Sequence, residues 1–178
     1  MTDTKPGVSS SASGMRFVVM GVSGCGKSTV GSAFAQRLGI RYIEGDQFHS
    51  AENLRKMGAG IPLTDEDRRG WLLELQAQLR AAHEKGESVV LTCSALKRSY
   101  RQLLRQADPE LVFIHLVGTT DVIAARMHQR TGHFMPPVLL ESQLRDLEPP
   151  GADERAYSFS IDMPLEQLVN RIVSEVPF

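Results

Sequence analysis

The chain has 178 residues, 42% of them hydrophobic and 23% charged, which fits one soluble globular domain with a core of its own. Its formal net charge is −1, so it lacks the broad basic field that holds a polyanion, and we expect no nucleic-acid partner. No stretch approaches the ~20 apolar residues that a membrane helix needs, and we expect no membrane partner either.

The beginning of the chain is rich in Ser, Gly and Thr and has no apolar segment of the kind found in a secretory signal. We predict a disordered tail over residues 1–14, a single domain over residues 15–178, and a cytoplasmic location. The two cysteines, Cys25 and Cys93, stand far apart without metal-ligand spacing. This pattern favours two reduced thiols over a disulfide.

Strand and helix patterns alternate along the rest of the chain. The predicted strands cover residues 17–20, 41–43, 88–92, 111–117 and 157–161. Helices are predicted after each strand, with Ser50, Thr64 and Ser94 as N-caps and Gly39 as a C-cap. Five strands that alternate with helices predict an α/β fold, in which a parallel sheet is covered by helices on both faces.

Residues 21–28 read GVSGCGKS and match the phosphate-binding pattern G-x-x-x-x-G-K-S/T between a predicted strand and a predicted helix. Glycines let backbone N–H groups turn toward phosphate oxygens, and the helix directs its positive end to the same place. Lys27 is expected to act on the β- and γ-phosphates of ATP, and Ser28 to ligate Mg²⁺. The predicted nucleotide-binding residues are Gly21, Val22, Ser23, Gly24, Cys25, Gly26, Lys27, Ser28 and Thr29.

A phosphate-binding loop alone also occurs in GTPases, motor ATPases and DNA-processing enzymes. The chain contains no N-K-x-D segment of the kind with which GTPases read guanine, and it is short for a larger ATPase. The pattern therefore favours a small-metabolite kinase that uses ATP and Mg²⁺. Within the loop, Cys25 is expected to be a small filler, because such loops bind phosphate through the backbone.

Asp46 and His49 follow the second predicted strand, and the carboxyl ends of parallel strands face the ligand crevice. Asp46 is suited to orient or deprotonate an acceptor hydroxyl or to hold Mg²⁺ through water; capping the next helix is the alternative. His49 either binds substrate or caps. Lys97 and Arg98 open a helix, where cations oppose the helix dipole. That placement favours an anionic substrate group between them, with ordinary surface basicity as the alternative.

Arg126 and Arg130 lie four residues apart, and therefore on one helix face, directly before a segment with glycine and two prolines. This arrangement predicts a mobile lid over about residues 126–137 that brings guanidinium charge onto the transferring phosphoryl group. A solvated basic face is the alternative. Both arginines are counted as catalytic, with Lys27 and Asp46.

Taken together, the motifs resemble the small P-loop gluconokinase family, which is related in fold to shikimate and nucleoside-monophosphate kinases. The resemblance covers nearly all of residues 17–176, and it departs at Gly70, where the family usually has proline before the tryptophan. The matching segments beyond the phosphate loop are Gly45-Asp46-x-x-His49, Asn53-x-x-Lys56-Met57-x-x-Gly60-x-Pro62-Leu63, Asp65-x-Asp67-Arg68, Trp71-Leu72, Cys93-Ser94-Ala95-Leu96-Lys97, Tyr100-Arg101, Gly132-His133-Phe134 and Glu148-Pro149.

The resemblance implies that ATP phosphorylates D-gluconate to 6-phospho-D-gluconate, which feeds the pentose phosphate pathway. It also implies a sheet order of 2-3-1-4-5, an acceptor-binding segment over about residues 46–68, and a homodimer. Asp46, His49, Lys97 and Arg98 are expected to bind the substrate. Lys56 and Arg68 are added to this set on the resemblance alone.

Two rival functions remain open from the residues. Another small-molecule kinase is one, although a nucleoside-monophosphate kinase typically has a Gly-Phe-Pro-Arg-like stretch where this chain has residues 93–97. A nucleotide-binding regulatory module is the other. Asp46 and the paired arginines argue against it, since a sensor needs no acceptor site.

Overall fold

The computed structural model describes residues 14–129 and 138–178. Its strands are β1 (Arg16–Met20), β2 (Arg41–Ile43), β3 (Val89–Thr92), β4 (Val112–Val117) and β5 (Ala156–Ser160). They form one sheet in the order β2-β3-β1-β4-β5, and all neighbouring strands pair in parallel. The predicted α/β fold and its strand order are confirmed.

The helices alternate with the strands and cover both faces of the sheet. They are α1 (Lys27–Leu38), α2 (Ala51–Gly58), α3 (Asp65–Glu84), α4 (Arg98–Arg105), α5 (Thr120–Gln129), α6 (Val138–Asp146) and α7 (Leu165–Glu175). A single 3-10 turn, Gly45–Phe48, follows β2. Helix α1 packs against α7, and α3 packs against α4. All five residues of β1 are buried, as expected for a central strand covered on both faces.

The predicted N-cap at Ser94 is wrong, because α4 begins only at Arg98. Ala95 has a left-handed backbone with φ of +46°, which interrupts a helix at that point. The fully buried Arg101 donates to the carbonyl oxygens of Ala95 and Leu96 at 2.9 and 3.2 Å. Its guanidinium also forms two hydrogen bonds with the carboxylate of Glu154, so this loop is held by side-chain contacts.

The two edges of the sheet, formed by the amino ends and by the carboxyl ends of its strands, differ in the groups that lie there. At the amino-terminal edge, the buried side chain of Arg16 pairs with the buried carboxylate of Asp108, and removing either partner would leave an unpaired buried charge. At the carboxyl edge, the loops after β1, β2 and β3 come together. The second edge is therefore the one that can receive a ligand.

Three further predictions concern membrane-spanning helices, the two cysteines, and the tail and lid segments. Across residues 14–129 and 138–178, none of the helices combines the length and apolar character that crossing a membrane requires. Cys25 and Cys93 are both buried free thiols, as predicted. The predicted tail and most of the predicted lid, including Arg130, lie outside the described residues.

Gly70 lies in the exposed middle of α3, where an added methyl group would meet no atom within 4 Å. We expect Gly70→Ala to raise the free energy of unfolding by about 0.4–1 kcal/mol, because alanine loses less backbone entropy on folding. Gly39→Ala is the matched control: with φ of +66° after α1, it should lower that free energy by about 1–2 kcal/mol. Urea unfolding measures both, and a loss of stability in Gly70→Ala would contradict the prediction.

Candidate functional site

The phosphate-binding loop follows β1 directly and depends on glycine at three positions. Gly21, Gly24 and Gly26 have φ of +146°, +82° and +94°, a region that other residues rarely adopt. A Cβ atom at Gly21 would lie 2.7 Å from Sγ of Cys25 and 2.9 Å from the carbonyl oxygen of Leu116. The buried Cys25 side chain thus packs beneath the loop, which fits its predicted role as a small filler.

Helix α1 begins at Lys27, so its positive end faces the concave side of the loop. The Lys27 ammonium group folds back over the loop and donates to the carbonyl oxygen of Val22 at 3.0 Å. Ser28 is exposed at the same end of the helix. The loop, the helix end and the ammonium group together form the arrangement that binds phosphate groups.

One pocket joins this loop to the predicted acceptor segment. Eight of the predicted site residues line it together: Ser23, Gly24, Gly26, Lys27, Ser28, Asp46, His49 and Arg68. Its remaining walls are Met57, Pro62, Leu63, Trp71, Ser94, Leu139, Ser142 and Gln143. The phosphate-binding groups therefore share a cavity with a carboxylate, an imidazole and a guanidinium.

The Asp46 backbone is positioned by its neighbour Gly45, which lies against the end of β3. A Cβ atom at Gly45 would lie 1.8 Å from the carbonyl oxygen of Thr92, so only glycine fits there. The Gly45 N–H donates to the Thr92 hydroxyl at 3.0 Å, and the Trp71 indole donates to the Gly45 carbonyl oxygen at 2.8 Å. These contacts fix where the 3-10 turn begins, and with it the position of Asp46.

Glu44 contacts Ser28 and is a candidate site residue that no sequence motif indicated. Burial raises the pKa of its carboxyl group, but hydrogen bonds from Tyr42, Ser28 and Thr92 outweigh that effect and hold the pKa below its usual value. The Tyr42 hydroxyl donates to the carboxylate at 2.6 Å and the Thr92 hydroxyl at 2.9 Å. The only signal in the sequence was its place at the end of a strand, two residues before Asp46.

Glu44 and Ser28 supply the oxygen ligands that a magnesium ion prefers, one carboxylate and one hydroxyl beside the phosphate loop. Within the part of the chain that the structure describes, no three His, Cys, Asp or Glu side chains gather closely enough to hold a metal ion by themselves. Mg²⁺ in kinases is usually bound by one or two protein groups and by the nucleotide phosphates. The residues present fit that kind of site.

His49 lies flat against Trp71, with 4.1 Å between ring centroids and an angle of 16° between the planes. Burial, with a smaller contribution from the positive charge of Arg68, lowers the pKa of its imidazole to about 4. His49 is therefore neutral at neutral pH. A neutral imidazole in the pocket can donate or accept a hydrogen bond without adding charge.

Arg68 is the buried cation of the pocket, with 6% of its surface exposed. Its guanidinium donates to the Tyr100 hydroxyl at 2.9 Å and pairs with the Asp146 carboxylate at 3.0 Å. Tyr100 in turn donates to the carboxylate of Asp65. Sequence patterns do not reveal that Tyr100 and Asp146 contact Arg68, because these two residues lie on other helices, α4 and α6.

The other predicted substrate-binding cations do not line this pocket in the described residues. Each one is paired with a carboxylate: Lys56 with Asp67 at 2.8 Å, Lys97 with Asp65 at 2.8 Å, and Arg98 with Asp153 at 3.0 Å. Since Lys97 and Arg98 stand at the beginning of α4, these carboxylates offset the unfavourable interaction with the helix dipole.

A second, more apolar pocket adjoins the other side of the phosphate loop. Gly24, Gly26 and Thr29 form one wall, and Val30, Ile161, Met163, Leu165 and Leu168 supply the apolar surface. Arg126 also lines it and donates to the carbonyl oxygen of Ile161 at 3.1 Å. Arg126 thus lies beside the loop, whereas Arg130 is outside the described residues.

Helix α6 contacts the phosphate loop directly through Gln143, which sequence patterns did not indicate. The backbone N–H of Ser23 donates to Oε1 of this buried side chain at 2.6 Å. On the same helix, Leu139 packs in a small apolar cluster with Met57 and Leu63 from the acceptor segment. One helix therefore touches both ends of the pocket.

The known proteins to which this chain is similar are kinases that act on small molecules. Residues 23–160 match the family model of shikimate kinase. The chain is 48% identical over 162 residues to a gluconokinase of Gluconobacter oxydans, covering 89% of this chain and 91% of that protein. A crystal structure of a gluconokinase from Sinorhizobium meliloti is 48% identical, with a TM-score of 0.82 and coverage of 91% and 90%.

A crystal structure of an unliganded sugar kinase from Janibacter sp. is 46% identical, with a TM-score of 0.87 and coverage of 90% of this chain and 93% of that one. Matches that cover about nine-tenths of both chains involve the whole domain and not the phosphate loop alone.

The contact between Gly45 and Thr92 yields a stability prediction. We expect Gly45→Ala to lower the free energy of unfolding by about 1–3 kcal/mol or more, because the new methyl group collides with backbone that cannot move independently of β3. Gly58→Ala, at the end of α2 with no atom within 4 Å of its added methyl group, is the matched control and should be close to neutral. Chemical denaturation of the two variants compares them, and equal stability would disprove the steric account.

Proposed function

The chain belongs to the gluconokinase family and is a phosphotransferase, and we propose that it transfers the terminal phosphoryl group of ATP to a hydroxyl group of D-gluconate. The products are ADP and 6-phospho-D-gluconate. The observation that carries this proposal is the single pocket in which Lys27 and Ser28 meet Asp46, His49 and Arg68. Phosphate-binding groups at one end and acceptor-binding groups at the other are what phosphoryl transfer requires.

At the phosphate end, the backbone N–H groups of the loop and the positive end of α1 bind the phosphate oxygens. Lys27 stabilises the charge that develops on the transferring group. Ser28 and, through its carboxylate, Glu44 are proposed to hold Mg²⁺, which when bound neutralises phosphate charge. The lowered pKa of Glu44 keeps that carboxylate ionised at neutral pH.

The second pocket supports a place for the adenine base. Its apolar side chains, among them Val30, Met163 and Leu168, suit a flat aromatic ring, and its glycine wall is part of the phosphate loop. Arg126 lies between this pocket and the loop. We propose that Arg126 binds phosphate oxygens during transfer and that Arg130 assists it from the lid.

At the acceptor end, Asp46 is proposed to accept a hydrogen bond from the reacting hydroxyl group and to take its proton as transfer proceeds. Because the transition state of phosphoryl transfer is loose, orienting that hydroxyl matters at least as much as removing its proton. The rigid attachment of Gly45 to β3 gives Asp46 a fixed position for this task.

The acceptor carboxylate needs a cation, and Arg68 has the position that best supports this role. Its guanidinium lines the pocket and is held by Tyr100 and Asp146. A planar guanidinium held in this way suits recognition of a carboxylate. Lys97 remains a second candidate, but it would have to exchange its ion pair with Asp65 for one with the substrate. Lys56 would likewise have to leave Asp67, and Arg98 would have to leave Asp153.

The homodimer remains a proposal that rests on the family resemblance. The lid rests also on the spacing of Arg126 and Arg130, and the cytoplasmic location stays a prediction from the sequence. Magnesium dependence rests on the resemblance and on the oxygen ligands beside the loop. The mass of the purified protein in solution tests the homodimer, and the metal dependence of its activity tests the magnesium requirement.

Acceptor selectivity tests the proposed substrate. We expect gluconate to exceed glucose by at least roughly 10- to 100-fold in kcat/KM, because glucose lacks the carboxylate and cannot form a charged hydrogen bond with the cation. A coupled assay of ADP release across sugar acids, glucose, shikimate and nucleoside monophosphates measures this ratio. Equal turnover of gluconate and glucose would refute the proposed carboxylate site and the proposed substrate together.

Three substitutions within the same assay locate the cation. Arg68→Met should shrink the preference for gluconate over glucose, while Arg69→Met, its exposed neighbour on α3, serves as the matched control and should leave the ratio unchanged. Lys97→Met separates the second candidate. A ratio that falls only in Lys97→Met would transfer the role from Arg68 to Lys97.

Asp46→Asn tests the proposed base. We expect ATP binding to persist and kcat to fall by on the order of 100-fold if proton removal limits the reaction. If orientation matters more, the loss should appear mainly in KM for gluconate. A variant that matches the wild type in both constants would return Asp46 to the role of a helix-capping residue.

A further inference from the structure

The side chain of Asn53 lies between the imidazole of His49 and the beginning of α3. It is buried, with 4% of its surface exposed, although asparagine is usually found at the surface. Its Nδ2 atom lies 2.9 Å from the carbonyl oxygen of Asp67 and 3.4 Å from Nδ1 of His49. One buried amide group therefore contacts a backbone carbonyl and a pocket imidazole at the same time.

The contact with Asp67 fixes which way the amide faces. A backbone carbonyl oxygen can only accept a hydrogen bond, so the Asn53 atom that faces it must be the NH₂ group. The second proton of that group is then available to Nδ1 of His49. Because Nδ1 accepts this hydrogen bond, it carries no proton of its own, and a neutral ring must hold its proton on Nε2.

Helix caps hold both Asn53 and its partner Asp67 in place. The Ser50 hydroxyl accepts from the Asn53 backbone N–H at 3.1 Å and starts α2. Thr64 and Asp67 form a capping box at the beginning of α3, with hydrogen bonds of 2.9 and 3.1 Å. Lys56 also pairs with the Asp67 carboxylate. The amide, its carbonyl partner and the imidazole are thus fixed relative to one another.

The charges around the ring favour the neutral form. Arg68 on α3 acts on His49 with a positive charge that disfavours a second proton, and Trp71 covers one face of the ring. The Asp67 carboxylate is paired with Lys56, and Asp46, on the 3-10 turn, contacts the backbone of His49 through its carbonyl oxygen at 3.3 Å. The low pKa of the imidazole agrees with this surrounding.

We propose that Asn53 is a positioning residue that holds His49 as the neutral Nε2–H tautomer, so that this N–H donates a hydrogen bond to an oxygen atom of the phosphoryl acceptor. His49 lines the acceptor pocket, and Nε2 is the ring nitrogen that Asn53 does not engage. The proposal deepens the proposed function, since it assigns a donor to the site that binds the acceptor.

The tautomer is measured directly by two-bond ¹⁵N–¹H correlation spectra of the labelled full chain at pH 7, without acceptor. The chain has five histidines, and the signals missing from His49→Gln assign His49. We expect the pattern of an Nε2–H imidazole. An Nδ1–H or doubly protonated ring in the wild type would overturn the proposal without any functional assay.

Asn53→Asp replaces the NH₂ donor with an acceptor of the same shape, which should favour a proton on Nδ1 and stabilise the imidazolium. We expect the His49 spectrum to change accordingly and the acidic limb of the pH–activity profile to move to higher pH. The KM for the acceptor should rise about 10-fold with little change in the KM for ATP. Asn170→Asp, on the surface of α7, is the matched control, and a pH profile identical to that of the wild type in Asn53→Asp would contradict the proposal.

Two variants of His49 keep the test decisive if Asn53→Asp does not fold. The amide nitrogen of glutamine reaches the place of Nε2, whereas that of asparagine reaches only the place of Nδ1. His49→Gln should therefore retain more acceptor affinity than His49→Asn, and the reverse order would contradict the proposal. The spectra need no acceptor, so a confirmed tautomer in a protein that does not phosphorylate gluconate would refute the proposed function alone.

Discussion

The close approach of Gly45 to Thr92 is the constraint on which the site depends. The hydroxyl of Thr92 accepts from the Gly45 backbone and donates to the Glu44 carboxylate, so one side chain ties the ends of β2 and β3 together. Trp71 completes the attachment from α3. Only glycine leaves space for this contact. Glu44 and Asp46, the neighbours of Gly45 in the chain, are therefore held in place near the phosphate loop.

Three cations near the predicted acceptor segment are paired with carboxylates. Arg68 is held by Asp146, while Lys97 and Lys56 are held by Asp65 and Asp67. A buried guanidinium without such a partner would carry a desolvation cost of several kcal/mol, on the order expected for any ion moved out of water. The acceptor end can thus present a positive group to a carboxylate while the protein remains close to neutral overall.

Helix α6 links the two ends of the pocket. Its Gln143 accepts a hydrogen bond from the phosphate loop, and its Leu139 packs with Met57 and Leu63 of the acceptor segment. A displacement of this helix would change both ends together, because core packing transmits movement through close contact. The helix also follows directly on the segment of about residues 126–137 for which the sequence predicts a lid.

The sequence by itself determined the fold class, the phosphate loop, the strand order through the family resemblance, and the presence of Asp46 and His49 beside the loop. These follow from local patterns, since hydrophobic periodicity, glycine spacing and helix caps act over a few residues. Tertiary structure alone decided the contacts of Glu44, Tyr100, Gln143 and Asn53. It also paired Lys97 with Asp65, 32 positions away in the chain, and moved the beginning of α4 from Ser94 to Arg98. The reason is physical: a hydrogen bond or an ion pair between distant positions depends on how strands and helices pack, and local patterns do not encode that packing.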